Sequence, residues 1–236
     1  MTTARQNPMR LALILCLFLA VIGPAVAGDT ALPNLIVNGG FEEWAALDQN
    51  VLQREEVRNV DLLPPGRGPT GWVPLRELAK GQARTASIAM DETVKHSGQR
   101  SVRIHNGDLR NISLVQYSTE SFAAHPNDPH NIKPNHRYVI RWWVKGEGVD
   151  AGGAGPILML YYQTEHNGKP ARVDTYEQGE LPRGTFDWQQ RQFVFITDDH
   201  ARWMGFSLQL RWATGTVWYD DVEMQDRGEV VQVETY

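Results

Sequence analysis

Apolar and polar residues alternate along several short runs of this chain, a pattern typical of β-strands with one buried face. In the run from Arg137 to Lys145, every second residue from Tyr138 to Val144 is apolar, so this set is predicted to face a core. Arg141 and Trp143 have the opposite phase. They are therefore predicted to lie on the outward face of the same strand.

The run from Met204 to Trp212 alternates in the same way. Its even-numbered residues, ending with Trp212, are all apolar and are predicted to pack in the core. Gln209 and Arg211 fall between them and are predicted to face outward. Both runs thus combine a core face with an outward face that carries charged or amide side chains.

Further strand candidates are bounded by Gly, Pro, Asn or Asp, which favour turns. One predicted turn is Ala213-Thr214-Gly215, which ends the Met204 run. No segment keeps a helical repeat for three turns. The sequence therefore predicts an all-β fold, a jelly-roll β-sandwich of two antiparallel sheets. The other candidates are 83–90, 101–105, 113–117, 157–163, 189–196 and 217–224.

The N-terminal segment has the order of a secretory signal peptide. Arg5 and Arg10 precede the apolar run Leu11 to Ile22, and Ala25-Val26-Ala27 provides small residues for cleavage. The run is too short to cross a bilayer core, which needs about 20 residues. We therefore expect a signal peptide over 1–27, no membrane insertion after cleavage, and a secreted protein in the extracellular space, the periplasm or the cell envelope.

Composition limits the classes of partner. The only cysteine, Cys16, lies in the predicted signal peptide, so the mature chain has no disulfide. The formal net charge is −5 and there is no block of Lys and Arg, which argues against nucleic acid as a ligand. Residues 28–236 have a length that suits one all-β module, whose core is predicted within 34–224. We expect this module to be a monomer.

Five motifs occur in a characteristic order. They are Asn34-Leu-Ile-Val-Asn-Gly-Gly-Phe-Glu-Glu43, Gly71-Trp72, His96-Ser-Gly-Gln-Arg-Ser-Val-Arg103, Ile132-Lys-Pro-Asn-His-Arg-Tyr138 leading into Trp142-Trp-Val-Lys-Gly146, and Val217-Trp-Tyr-Asp-Asp-Val-Glu223. In that order the chain resembles the carbohydrate-binding modules of families 4, 9 and 22, which are galactose-binding-like jelly rolls, over most of residues 34 to 224. The resemblance implies two stacked sheets with the N-terminal and C-terminal segments side by side, and a non-catalytic carbohydrate-binding role.

The resemblance also implies a structural calcium ion where the N-terminal and C-terminal segments meet. Glu42 and Asp220 match the family's carboxylates, and the Gly40 carbonyl, the Ser97 turn and the Arg100 carbonyl complete the expected oxygen ligands. Some relatives carry a carboxylate where this chain has Ser97. The alternative is that Glu42 and Asp220 accept hydrogen bonds from turn backbone and close the sandwich without metal.

A sugar site combines an aromatic platform with planar hydrogen-bonding side chains. The outward phase of the strands gives five predicted ligand-binding residues: Arg141, Trp143, Tyr162, Gln209 and Arg211. Tyr161 is the alternative to Tyr162. In the opposing interpretation a long loop covers this face and Trp143 belongs to a second small core.

No catalytic motif stands out, since the chain has no Gly-x-Ser-x-Gly sequence and its histidines do not follow a zinc-site spacing. We therefore expect a secreted, non-enzymatic module that binds a polysaccharide or oligosaccharide. A structural or protein-interacting sandwich of the cell envelope is the alternative. A polysaccharide-degrading enzyme is a third hypothesis, because fold alone does not exclude it.

Overall fold

A computed structural model describes residues 32–46, 63–64, 67–76, 85–107, 111–117, 132–177 and 180–230. The regular structure of these residues consists of ten β-strands. Within these ranges, no helix has the length and apolar character that a membrane crossing requires. The strands are β1 Trp44–Ala46, β2 Arg67–Pro69, β3 Val73–Arg76, β4 Ser87–Asp91, β5 Ser101–Asn106, β6 Ile112–Tyr117, β7 His136–His166, β8 Lys169–Tyr176, β9 Gly184–Ile196 and β10 Trp203–Glu229.

The long strands β7 and β10 pair antiparallel along most of their length and take part in both sheets of a sandwich. The first sheet contains β3, β6, residues 203–211 of β10, residues 155–163 of β7, and β8. The second sheet contains β4, β5, residues 213–229 of β10, residues 136–151 of β7, and β9. The prediction of an all-β sandwich with antiparallel sheets is thus confirmed.

The core lies between the inner faces of the two sheets. Phe206 and Leu208 reach it from the first sheet, and Ile140, Trp142 and Tyr219 reach it from the second. Their exposed fractions are between 0% and 1%. Burial of such large apolar side chains is the main favourable contribution to folding. The core prediction from strand alternation is confirmed for Trp142 and Phe206.

Trp212 departs from that prediction. It has φ of +49°, in the left-handed region, and 39% of its surface is exposed. The pairing of β10 with β7 shifts register between Arg211 and Ala213, which shows that the strand is irregular here. The prediction that Trp212 packs in the core is wrong, because the left-handed residue interrupts the alternation of side chains.

The prediction that a turn at Ala213-Thr214-Gly215 ends the strand is also wrong. The chain bends there but stays extended, so the two predicted runs on either side belong to one strand, β10. A second register shift lies between Thr214 and Thr216. Bulges of this kind bend a strand without ending it.

Some elements were not predicted at all. Strand β8 has Lys, Pro, Arg and Asp among its eight residues, and it pairs only with β7, so it is an edge strand. Two long segments in which the sequence shows no clear periodicity, Ala45 to Gly71 and Ser118 to His136, lie largely outside the described residues. Where the first of them is described, β1 and β2 pair antiparallel.

Candidate functional site

The predicted ligand-binding residues do not form one site, because they lie on opposite outer faces of the sandwich. Arg141 and Trp143 project from residues 136–151 of β7, in the second sheet, whereas Gln209 and Arg211 project from the first sheet. Alternation correctly places Arg141 and Trp143 out of phase with the core. It carries no information about which sheet a residue belongs to.

Tyr162 is placed in the core and not on an outer face. Its partner across the sheet is Met204, and the exposed fraction of Tyr162 is 7%. Its hydroxyl donates a hydrogen bond to Asp198 Oδ2 at 3.4 Å, and burial, together with the charge of Asp198, raises the pKa of the hydroxyl. Tyr162 cannot contact a ligand on the outward face. Its neighbour Tyr161 has the opposite phase and points away from the core, although it too is only 7% exposed.

Two tyrosine–arginine pairs lie on the outer face of the first sheet. The guanidinium carbon of Arg172 is 4.0 Å from the ring centre of Tyr161, and that of Arg211 is 4.8 Å from the ring centre of Tyr176. These are cation–π distances. We call this surface, defined by Tyr161, Arg172, Tyr176 and Arg211, the tyrosine–arginine face.

Gln209 lies beside these pairs on the same outer face. It is only 3% exposed, and its Nε2 donates a hydrogen bond to Ser207 Oγ at 2.6 Å. Gln209 Oε1 is buried and has no hydrogen-bond partner among the described residues. Because an unpaired buried amide oxygen is costly, a hydroxyl or water that donates to this atom is favoured.

On the outer face of the second sheet, Trp143 is half-buried and stacks against His96. The ring centres are 3.8 Å apart and the rings are inclined by 16°. His96 Nδ1 lies 2.6 Å from Asp221 Oδ2, and Trp188 approaches the imidazole edge-on at 5.7 Å. One side of the Trp143 indole is therefore occupied by protein, as in the interpretation that places it in a second small core.

Arg141, on the same face, bridges three strands. Its Nε donates to Gln192 Oε1 at 2.9 Å, and its Nη1 donates to Glu223 Oε1 at 3.0 Å. Half-exposed pairs of this kind contribute little to stability. The two hydrogen bonds do hold the Arg141 guanidinium on the outer face of the second sheet, away from the predicted ligand-binding residues of the first sheet.

The carboxylates of the predicted calcium site accept hydrogen bonds from turn backbone. Glu42 Oε1 accepts from the amides of Gln99 at 2.8 Å and Arg100 at 3.3 Å. Asp220 Oδ2 accepts from His96 at 2.8 Å and Ser97 at 3.2 Å. Burial raises the pKa of Asp220 to about 6, although these amide donors oppose the rise.

The remaining predicted calcium ligands are gathered at the same junction. Gly40 lies against Glu42 and Asp221, and Ser97 Oγ donates to Asp221 Oδ1 at 2.7 Å. Arg100 Nη1 donates to the Glu42 carbonyl at 2.8 Å. The carboxylates suit a hard cation, but the turn directs amide N–H groups toward them where calcium would need carbonyl oxygens.

In the described part of the chain, no group of three or more His, Cys, Asp or Glu side chains is arranged to hold a metal ion. The hydrogen bonds of Glu42 and Asp220 are those of the alternative to calcium. The ion itself stays a prediction.

Sequence reasoning missed the tyrosine–arginine face as a unit. Arg172 and Tyr176 belong to β8, whose charged residues and proline do not give a strand pattern. Tyr161 was an alternative to Tyr162 only. The signal that was present is the Arg-x-x-x-Tyr sequence from Arg172 to Tyr176, but it has no meaning until the register with β7 is known.

No protein-family model matches the chain, and no curated protein matches it. Similar solved structures include a family 4 carbohydrate-binding module, 17% identical with a TM-score of 0.44, covering 81% of this chain and 99% of that chain. The CBM22-1 xylan-binding domain of Paenibacillus barcinonensis Xyn10C is 12% identical, with a TM-score of 0.44. The match covers 68% of this chain and 88% of that chain.

A cyclase from Fischerella sp. TAU, solved with 4-(1H-indol-3-yl)butan-2-one, is also similar. It is 14% identical, with a TM-score of 0.47, covering 85% of this chain and 98% of that chain. Solved structures similar to this chain therefore include modules of families 4 and 22, two of the families that the sequence resembles, and an enzyme.

Proposed function

We propose that the protein is a non-catalytic module that binds a polysaccharide or oligosaccharide on the tyrosine–arginine face. The observation that carries the proposal is the pairing of two outward tyrosine rings with two guanidinium groups on one sheet face. Sugar rings combine apolar C–H faces with hydroxyl groups, so they need flat apolar surface next to planar hydrogen-bonding groups. On this face the half-buried ring of Tyr176 provides the apolar surface and the guanidinium groups of Arg172 and Arg211 provide the donors, while Tyr161 is buried and supports Arg172.

The side chains have distinct roles in the proposed mechanism. Tyr161 and Tyr176 hold the guanidinium planes of Arg172 and Arg211, whose remaining N–H groups donate to sugar hydroxyls. Gln209 is buried beside these pairs, so it borders the site and does not itself contact the glycan. Such a site binds and orients a glycan without breaking a bond in it.

The experiment is binding to an array of plant, algal and bacterial polysaccharides, followed by affinity gels with Tyr176→Ala. Loss of the aromatic surface and of the support for Arg211 should weaken binding roughly tenfold. Trp143→Ala is the matched control, because Trp143 is an aromatic residue on the opposite outer face. It should bind as the wild type does.

Two results would contradict the proposal: no binding of the wild type to any polysaccharide, or a Tyr176→Ala protein that is folded and binds normally. Circular dichroism of each variant establishes that it is folded. Release of sugar products from the array polysaccharides would instead favour the enzyme hypothesis.

A protein-interacting sandwich is a second candidate function, and the stacking of His96 on Trp143 favours it. With one side of the indole occupied, Trp143 offers less surface to a sugar than the outward phase of its strand suggests. This function predicts that Trp143→Ala, and not Tyr176→Ala, weakens capture of a specific protein from the cell envelope.

We further propose that the protein is exported and acts as a monomer outside the cytoplasm. The signal peptide supports this proposal. Residues 1–27, on which it rests, lie outside the described residues, so cleavage after Ala27 and export stay predictions from the sequence. A calcium ion at the junction of Glu42 and Asp220 is proposed on the resemblance of the surrounding motifs.

A further inference from the structure

Four strands form the edges of the two sheets, and three of them have features that discourage pairing with another chain. Strand β3 has four residues and contains Pro74, and β4 has only five residues. Strand β8 contains Pro170 and three charged residues. Short length, proline and charge are the usual protections of a sheet edge. Strand β9 has 13 residues and no proline or lysine, and among the described residues it pairs only with β7.

The register shows which backbone groups of β9 face away from β7. The Thr197 amide donates to the His136 carbonyl at 3.0 Å, and the pairing then continues without a register shift as far as Val144. In an antiparallel ladder, every second residue bonds to the same neighbouring strand. Phe193 and Phe195 therefore bond to β7, whereas the residues that alternate with them direct their N–H and C=O groups away from it. These residues are Gln190, Gln192, Val194 and Ile196.

Two of these residues also carry exposed aliphatic side chains. Val194 is 37% exposed and Ile196 is 54% exposed, while the alternating Phe193 and Phe195 are buried in the core. Val139, the partner of Val194 on β7, is only 6% exposed and lies outside the core cluster, on the same outer face. A single exposed aliphatic residue needs no explanation. Here an apolar strip runs to the edge of the sheet, in register with backbone groups that face outward.

We propose that the β9 edge, defined by Gln190, Gln192, Val194 and Ile196, binds an extended segment of another protein as an added β-strand. A row of N–H and C=O groups at a strand edge is complementary to the backbone of an extended polypeptide. The segment carries aliphatic, β-branched residues at the alternate positions that lie beside Val194 and Ile196. The inference is independent of glycan binding, because the tyrosine–arginine face belongs to the other sheet.

A second copy of this chain is a less suitable occupant of the β9 edge. A standard interface between two proteins contains about 20 to 30 residues on each side. Symmetric pairing of two β9 edges would use the seven residues from Gln190 to Ile196 of each copy. A flexible segment needs only the edge itself, because strand addition derives its affinity from main-chain hydrogen bonds and its specificity from alternate side chains.

The test uses the wild-type protein and a synthetic peptide of about ten residues, in which valine and threonine alternate and lysine at each end provides solubility. At saturating peptide, hydrogen exchange at the amides of Gln192, Val194 and Ile196 should slow about tenfold or more, because these amides become hydrogen-bonded. The amides of Phe193 and Phe195 already pair with β7, so their exchange should not change. Nuclear magnetic resonance measures both sets of amides in one experiment.

The control peptide has the same sequence with N-methyl groups on its consecutive central residues, which removes N–H groups from both of its edges. It should bind at least tenfold more weakly, because several main-chain hydrogen bonds are lost.

A matched pair of variants tests the edge from the side of the protein. Ile196→Lys introduces the charge that commonly protects natural edges, and it should weaken peptide binding about tenfold. Val37→Lys changes another aliphatic residue of comparable exposure, 39%, outside β9 and should bind as the wild type does. Circular dichroism establishes that both variants are folded.

Equal binding of the two peptides, slowed exchange only at residues outside β9, or no binding of the unmodified peptide would overturn the inference. Exchange at the β9 edge that slows as protein concentration rises, without peptide, would show that a second copy occupies the edge and would overturn it as well. Tyr176→Ala should bind the peptide normally, so a failure of the proposed glycan site would leave this inference standing.

Discussion

One carboxylate, Asp91, links the edge strand β4 to strand β10 through a hydrogen bond. Asp91 Oδ2 accepts a hydrogen bond from Trp218 Nε1 at 2.8 Å. Its Oδ1 accepts from the amides of Thr93 and Val94, each at 2.9 Å, in the turn that follows β4. Burial opposes ionisation of this group, but the hydrogen bonds prevail and lower the pKa of Asp91 to about 2.

Asp91 should therefore stabilise the protein at neutral pH and lose that effect in acid. Because its pKa is lower in the folded chain than the ordinary value of 3.8, the contribution is complete above that value and disappears as the pH falls through about 2. Asp91→Asn should lower the free energy of unfolding by about 1 kcal/mol at neutral pH, because an amide replaces a charged acceptor at a site that solvent partly screens. Urea unfolding at several pH values measures both quantities.

The difference between wild type and Asp91→Asn should shrink toward acid pH. Asp150→Asn, which changes an exposed carboxylate outside these hydrogen bonds, should run parallel to the wild type throughout. A constant difference between wild type and Asp91→Asn down to pH values near the lowered pKa would contradict the assignment of the acid effect to Asp91.

At the scale of strands, the crossing of β7 and β10 depends on close backbone contact at Gly215. Its φ is +112°, and a Cβ added there would lie 2.6 Å from the carbonyl oxygen of Gly148 and 2.9 Å from the Cα of Val149. Real Cβ atoms do not approach backbone so closely, and the atoms concerned belong to the partner strand. Only glycine fits at this position without moving the strands apart.

Gly215→Ala should accordingly destabilise the protein by about 2 to 3 kcal/mol, from backbone strain and from displacement of β7. Gly184→Ala is the matched control: its φ is +72°, but no atom lies within 4 Å of the added Cβ. That substitution should cost about 1 to 2 kcal/mol, from the left-handed conformation alone. Equal losses in urea unfolding would show that the contact with Gly148 has no effect.

Strands are also the scale at which the sequence was most and least informative. Alternation predicted the inner and outer phase correctly for Trp142, Phe206 and Arg141, because burial of one face imposes a period of two. It failed at Trp212, where a left-handed residue breaks the period. It also could not show which of the two sheets contains Arg141, because outward residues of both sheets follow the same alternation.

The tyrosine–arginine face could not be predicted from the sequence, because alternation does not show which strands are neighbours. Its residues come from β7, β8 and β10, and their proximity depends on register between strands that are distant in the sequence. Tyr176, for example, pairs with Met159, and Tyr161 pairs with Gly205. Local pattern determines the direction of each side chain, whereas register determines its neighbours.

At the scale of the whole molecule, the two ends of the described chain close the sandwich together. The Leu35 amide donates to the Met224 carbonyl at 2.9 Å, and the Val222 amide donates to the Gly39 carbonyl at 2.9 Å. This is the side-by-side arrangement that the resemblance implied. Glu42 and Asp220 lie at this junction, so an ion bound there would hold the N-terminal and C-terminal segments together.

Chelation tests whether calcium takes part in the closure. With calcium bound, a chelator should lower the melting temperature, because a ligand that binds only the folded state stabilises it. Elemental analysis should find calcium in the untreated protein, and Asp220→Asn should remove the response to chelator. An unchanged melting temperature together with no detectable calcium would mean that the hydrogen bonds of Glu42 and Asp220 close the sandwich alone.

The sharing of β7 and β10 between both sheets has a consequence for how the molecule comes apart. A sandwich of two separately completed sheets can open along the plane between them, but here that plane is crossed by two continuous strands. Separating one sheet from the other would therefore disrupt β7 and β10, which also form part of the second sheet. The described part of the protein is therefore expected to lose its structure in one cooperative step, without a half-unfolded state in which a single sheet survives.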